Sequence, residues 1–492
     1  MHHNEFNPEA FSRRSTDRGT FLAKACLCAV AALTAPAALT VVPTTAAAQS
    51  ADDSYNGGKA RVSRSASLRS LTEAVAAASC RVGNGYDTAE AQADLARARD
   101  DFDRIIDGLI NGSPALGMPG AEPRARTREA LNVIGTFWSP IHDAAGRLAD
   151  GSGTAADAAT VADTHAALFE QTEQTASVIS GQYADPQQLL QSDATVLNFA
   201  VRQRALAYRM SRLMCEMASG TGDEGTQQAL AETVDLFEKT LLALRDGFPG
   251  AGINPPPNET IANSLNSTYE LWRDRRSAFD GAIAGQTPDA AQVSAAAALS
   301  DDLSKAMNNA ITLYLIATPG QDGVYRVPLE AYARDQLSTW LSDPALIAAI
   351  TVQNERHAAL TEDEVIALDQ QWRAEAGAGG GPLIESLLSS AESQWLRDQQ
   401  TATAGFVTEV FVMDDKGLNV AQSVETSDYW QGDEAKWQQT YLVGPDALHI
   451  SEVEFDDSTG FYQSQASLPI TDPATGAVIG AVTFGINVQS LM

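Results

Sequence analysis

Along most of this chain apolar residues return every three or four positions, and only near the end do they alternate. Leu95, Phe102, Ile105, Ile106 and Leu109 form one helical stripe. Phe199, Leu206, Met210, Leu213 and Met217 form another, with Gln203 on the same line. Breakers cut these stripes into segments: "VGNGYD", "NGSPALGMPG" and "DGSG" in one stretch, then "SGTGDEG", "DGFPGAGINPPP" and "GQTPD" in the next. Each stretch therefore predicts four helices joined by short turns.

The two stretches also repeat each other. "FDRIIDGLINGSPALGMPG" from Phe102 aligns without a gap on "FEKTLLALRDGFPGAGINPP" from Phe237, setting Gly112 beside Gly247, Pro114 beside Pro249 and Gly117 beside Gly252 at an offset of 135. Past that loop the offset slips by one, pairing Trp138 with Trp272. Self-similarity of this kind marks copies of one structural unit. Residues 61–183 and 190–317 accordingly read as two tandem up-down four-helix bundles.

Beyond Val327 the spacing stays helical to about Thr403, interrupted by "AGAGGGP", which is no phosphate cradle because no strand precedes it and no G-K-[ST] follows. From Phe406 the pattern turns to strands. "EVFVMDDKGLNVAQS" reads as a hairpin turning at Asp414 to Gly417, "DEAKWQQTYLVG" as a short helix, and the remainder as three more strands. The fold class expected is mostly α with a C-terminal α+β domain: two bundles, then long helices leading to a five-stranded antiparallel sheet over 327–492.

Charge and targeting narrow the function classes. Lys+Arg 33 against Asp+Glu 63 gives a net charge of -30, which excludes nucleic acid and anionic membrane surfaces as general partners. Arg13, Arg14, Arg18 and Lys24 precede an apolar run from Ala25 to Val42, and "TTAAAQS" offers a cleavage signal after Ala48. Residues 1–48 thus read as a signal peptide, and the mature chain as periplasmic. Cleavage removes Cys26 and Cys28, leaving Cys80 and Cys215, which permit one bridge. His142, His165, His357 and His449 are scattered, so no metal or cofactor is expected. No G-x-S-x-G, H-E-x-x-H or Walker A sequence occurs, and an enzyme is not expected.

Cys80 and Cys215 each follow an arginine, Arg69 and Arg204, at the same spacing. At about 100° per residue, Arg204, Tyr208, Ser211 and Cys215 form a second stripe turned away from the core stripe, matched by Arg69, Glu73, Ala76 and Cys80. These arginines are either anion ligands or side chains at the surface or paired with acids such as Glu73.

Here the residues resemble a family. "SLRSLTEA" from Ser67 and "RQRALAYRM" from Arg202 are similar to the first-helix motif of the nitrate/nitrite sensor kinases and of type IV pili chemotaxis transducers with a PilJ-type N-terminal domain. The resemblance implies periplasmic four-helix sensors in which two first helices meet and an arginine from each holds a nitrate-like anion. It assigns that role to Arg69 and Arg204, with Arg202 and Arg209 in the same motif; the first copy lacks a counterpart of Arg209 at Ala74. In a tandem chain the two first helices can form an internal pseudo-dimer. A parallel crossing would bring Arg69 toward Arg204 and Cys80 toward Cys215 as a disulfide.

"VFVMDDKGLNVAQS" and "GAVIGAVTFGI" resemble the Cache (PAS-like) extracellular sensor domains, which bind small ligands on the sheet face under the loop after the second strand. That resemblance makes Tyr429, Trp430, Trp437 and Tyr462 pocket walls. The function implied is a periplasmic sensor or binding protein for a small molecule or anion that reports to a membrane receptor or kinase. The other reading is a structural or adhesive protein whose sensor folds have lost their ligands.

Overall fold

The computed structural model describes residues 57–183, 191–223, 225–317, 325–403, 405–456 and 461–491. The signal-peptide reading of residues 1–48 lies outside them. Four helices open the described chain: α1 (Gly58–Asn84), α2 (Thr88–Asn111), α3 (Ala125–Ala149) and α4 (Ala155–Tyr183). They enclose Leu68, Leu95, Phe102, Leu131, Trp138 and Leu168. A second group follows: α5 (Gln191–Ser219), α6 (Thr226–Asp246), α7 (Glu259–Arg275), the short α8 (Asp280–Ile283) and α9 (Ala290–Ala317).

The two groups share local detail. Ser113 bridges to Met118 around a 3-10 turn at Pro114–Leu116, and Phe248 bridges to Ile253 around Pro249–Ala251. Gly117 and Gly252 close these turns at φ 70° and 73°, a conformation that costs any side-chain-bearing residue free energy. Phe102 stacks on Trp138 at 4.0 Å between centroids, and Phe237 meets Trp272 at 4.6 Å. They differ at the third helix. α3 runs unbroken, whereas α7 gives way to a 3-10 turn that swings Phe279 inward against Trp272.

The C-terminal part contains α10 (Arg326–Asp335), α11 (Pro344–His357), α12 (Glu362–Gly377), α13 (Pro382–Leu388) and α14 (Ala391–Ala402). After them come β1 (Val407–Met413), β2 (Asn419–Gln422), α15 (Ala435–Gln438), β3 (His449–Ile450), β4 (Glu454–Asp456), β5 (Phe461–Thr471) and β6 (Val478–Asn487). The sheet is antiparallel in the order β2-β1-β6-β5-β3, with β4 also on β5. It has six strands where five were expected. The edge strand breaks between β3 and β4, where the Ser451 hydroxyl accepts from the Gln465 N–H.

Alternation along the strands sorts the sheet's two faces. Val410, Val412, Val482, Phe484 and Ile486 share one core with Leu206, Trp272 and Leu303 of the second helical group. The described residues of the C-terminal part and those of the second helical group thus contribute to one apolar core. Phe411, Met413 and Ala481 face the other way, onto Trp437 of α15.

One buried carboxylate ties helix to sheet. Asp414 Oδ1 accepts from the backbone N–H groups of Lys416 and Leu418, both at 2.9 Å, and so shapes the β1–β2 turn. Its Oδ2 lies 2.7 Å from His357 Nδ1 and accepts from Gln353 Nε2 at 3.0 Å, both on α11. Asp414→Ala leaves all four groups without their acceptor, three of them buried. We expect it to lower unfolding free energy by about 3 kcal/mol or more in urea titration, since each buried donor left unsatisfied costs about 1 to 3 kcal/mol.

Candidate functional site: the seam between the first helices

α1 is walled in by neighbours. Leu68, Val75 and Ala78 face its own core, while Ser67, Glu73 and Cys80 meet α5. The two helices run parallel, because their contacts advance together: Ser67 with Arg204, Glu73 with Arg212, Cys80 with Cys215. The cysteines are joined in a disulfide, with Cα atoms 6.2 Å apart. Glu73 Oε2 accepts from Arg212 Nε at 2.8 Å, and both side chains are buried. Glu73 therefore serves Arg212, one turn beyond its repeat partner Tyr208, and not Arg69.

The two arginines of the motif reach different neighbours. Arg69 donates to Asn198 Oδ1 and to the Ala66 carbonyl, both at 3.2 Å, and lies 3.8 Å from Glu173 of α4. Burial lowers its pKa; Glu173 opposes that shift and Arg202 adds to it. Arg204 donates to the Ser67 hydroxyl at a long 3.4 Å, and its Nε has no hydrogen-bond partner among the described residues. Burial lowers its pKa too, against Tyr208 and Asp101. Arg202 is exposed. Arg209 is half-buried, and its Nε is likewise without a partner. Arg69 and Arg204 share no hydrogen-bond or ion-pair partner among the described residues.

One turn along the seam, α1, α2, α5 and α9 enclose a cleft of about 110 Å³. Arg81 Nη1 donates to Asp94 Oδ2 at 2.8 Å, Arg97 pairs with the other oxygen of Asp94, and Tyr208 donates to Asp301 Oδ1 at 3.0 Å. Asp101 is paired with Arg104 at 2.5 Å. Burial raises the pKa of Asp101 against the pull of Arg104, Arg64 and Arg204. Burial also raises that of Asp301, helped by Asp94 and opposed by the Tyr208 hydrogen bond, Arg97 and Arg81. Sequence reasoning placed Tyr208 on the seam stripe but missed its acid. The available signal was an Asp pair, Asp301 and Asp302, inside the alanine-rich run of α9.

The four C-terminal aromatics lie in separate clusters. Tyr429 stacks on Trp372 at 5.5 Å, in a cluster that Trp430 also touches. Trp437 stacks on Tyr441 at 4.8 Å on the far face of the sheet. Tyr462 tilts against Phe455 at 5.1 Å along the strand edge. Each indole is tied to its own cluster: Trp430 Nε1 donates to the Lys416 carbonyl at 2.8 Å and Trp437 Nε1 to the Asp414 carbonyl at 3.1 Å. Among the described residues no three His, Cys, Asp or Glu converge as a metal site.

Comparison with known proteins bears on the same helices. Residues 188–299 match the PilJ family model, "Type IV pili methyl-accepting chemotaxis transducer N-term". That stretch is similar to a signal-transduction sensor domain. It runs from the start of α5 into α9 and contains Arg204, Arg212 and Cys215. No curated protein matches the chain. Among solved structures, the sensor domain of the V. cholerae histidine kinase DctB aligns at 12% identity and a TM-score of 0.17, over 34% of this chain and 59% of that one. A likeness of that size carries no argument about the fold. Among the described residues no helix is long and apolar enough to cross a membrane.

Two measurements probe the seam itself. The disulfide closes a separation of 135 residues, so the double substitution Cys80→Ser, Cys215→Ser is expected to lower stability by up to about 4 to 5 kcal/mol in the chain-entropy treatment. Guanidinium unfolding of the oxidised protein and the variant reads this directly.

The second concerns pH. A carboxyl whose folded pKa is raised keeps its proton longer in the native than in the unfolded state, so it lowers stability as pH rises from the ordinary aspartate range through the folded value. Asp301→Asn removes that loss. The variant's melting temperature is expected to match wild type near pH 3.5, below the raised value, and to exceed it near pH 7.

Proposed function

We propose that this chain is a periplasmic, non-enzymatic sensor module, exported by its N-terminal segment, in which α1–α4 and α5–α9 act as tandem PilJ-type bundles. The C-terminal sheet and the helices leading to it act as a Cache-like second sensor. In this reading the α1–α5 seam does within one chain what two chains do across a dimer axis. A small oxyanion of the nitrate class binds at its arginine end, and the changed seam is reported to a membrane receptor or kinase.

The observation that carries the reading is Arg204. It is a half-buried guanidinium held by one long bond to Ser67, with Nε unpartnered, on the helix that matches the sensor family. A planar oxyanion suits it, because the guanidinium fork donates in one plane and charge-assisted bonds offset desolvation. Arg69 is better supplied by Asn198 and Glu173, so Arg204 is the principal ligand and Arg69 supports it from the far side of the seam.

Thermal melts in sodium nitrate against equal sodium chloride test this. Nitrate at 100 times its Kd is expected to stabilise by about 2.7 kcal/mol, with the response lost in Arg204→Ala and weakened in Arg69→Ala. A wild-type protein indifferent to nitrate and nitrite, or an Arg204→Ala variant with unchanged affinity, overturns the anion reading and favours a structural role.

A further inference from the structure

The second helical group lacks a hydrogen bond that the first one makes. In the first, Asp103 Oδ1 accepts from Trp138 Nε1 at 2.6 Å, while its Oδ2 lies 3.2 Å from His142 Nε2. The repeat sets Glu238 at the place of Asp103, Trp272 at that of Trp138, Arg276 at that of His142 and Phe279 at that of Ala145. Here the acid is engaged elsewhere: Glu238 accepts from Arg276 Nε at 3.1 Å, and Arg276 also pairs with Asp280. Trp272 is fully buried, yet its Nε1 has no hydrogen-bond partner among the described residues. A buried indole N–H without an acceptor is costly, and the residue equivalent to its acceptor in the first group is present but turned to Arg276.

Phe279 accounts for the difference. Ala145 is fully buried in the unbroken α3, so a continuous α7 would drive a phenyl ring into a slot that holds a methyl group in the first helical group. The chain instead leaves α7 at Arg275, and the 3-10 turn packs the buried Phe279 ring on Trp272, with centroids 6.0 Å apart. This packing gains a buried ring and forgoes a hydrogen bond. Withdrawing the ring reverses both terms, so two arrangements compete. We infer that the second group is a two-state element latched by Phe279. In one state, the one described, the ring is in and the Trp272 N–H is unbonded; in the other the ring is out and that N–H is on Glu238, as Trp138 is on Asp103.

Gln203 carries the effect to the seam. It is fully buried where the first group has Leu68, and its Oε1 is a second polar atom of this core without a partner among the described residues. Its Nε2 donates to the carbonyl of Phe237, whose ring lies against Trp272, and it precedes Arg204 on α5. Repacking around Trp272 therefore acts on the arginine end of the seam whether or not an anion binds there.

Indole N–H resonances of the full chain, made with isotope-labelled tryptophan, test the inference; Trp272→Phe and Trp138→Phe assign the two signals. Trp272 is expected to show microsecond-to-millisecond relaxation dispersion or a second cross-peak, and Trp138 neither. Phe279→Ala, which supplies the residue of the first group, should abolish the dispersion and leave one Trp272 peak at a new position. Adding Glu238→Ala to that variant should move the peak again. In protein that keeps Phe279, Glu238→Ala should leave the major Trp272 peak in place. A wild-type Trp272 signal as sharp and free of dispersion as that of Trp138 overturns the inference without recourse to the Phe279 variant. Dispersion that persists in Phe279→Ala, or a Trp272 peak in that variant indifferent to Glu238→Ala, overturns it as well.

Discussion

The buried pair of Glu73 and Arg212 sets the geometry on which the remainder of the helical part depends. It joins α1 to α5 at 2.8 Å in a region where neither charge meets water. An ion pair of this kind adds little net stability over a well-packed apolar pair, yet separating it is expensive, because the buried Glu73 carboxylate is left uncompensated. Its effect is therefore on register. Sliding α5 by one turn would part Glu73 from Arg212 and at the same time pull Cys215 from Cys80 and Arg204 from Ser67. Arg212 is held from its own helix as well, since Glu216 accepts from it at 2.6 Å.

That register explains which parts of the site sequence could show. The helical stripes, the breakers and the equivalent loops at Gly117 and Gly252 were legible because local periodicity and turn chemistry determine them. The seam stripe was legible too, as the face of α5 left over once its core stripe is assigned. The partners across it were not. Glu73 looked like a partner for Arg69 only from spacing along one helix, and the actual partner lies 139 residues away. Asp301 belongs to α9, so only the packing of four helices reveals that it meets Tyr208. The edge strand shows the same limit: its run of alternating residues reads as one strand, and the break that makes two depends on Ser451 meeting Gln465 across the ladder. The separate clusters of the C-terminal aromatics were hidden for a similar reason. Ring spacing in sequence does not say which backbone carbonyl takes each indole N–H.

The two ends of the described chain bear on how seam and sheet can communicate. Arg64 of α1 donates to the Gln489 carbonyl just after β6, and Gln489 Nε2 donates to Asn309 of α9 at 3.3 Å. Gly117 lies between them in a crowded spot, where an added Cβ would come 2.5 Å from the Leu491 carbonyl oxygen and 3.0 Å from Ala60. Glycine is required there twice over, for its positive φ and for the closeness of the terminal turn to α1. The last turn after β6 thus sits against the start of α1, the loop after α2 and the later part of α9.

From this arrangement follows a constraint on any signal. A ligand that shifts α1 relative to α5 cannot move the seam alone, because α1 begins where the chain leaving β6 ends and α9 shares a core with β6. The packed interior does not absorb such a shift by compression. Displacement of α1 along its axis is opposed at one end by the disulfide and the Glu73–Arg212 pair, and at the other it bears on Gln489 and Leu491. Motion then reaches the sheet through β6, whose inward residues Val482, Phe484 and Ile486 lie in the same apolar core as Leu303 of α9. A bistable seam would therefore have a mechanical outlet in β6, the strand that carries the chain back to the base of α1.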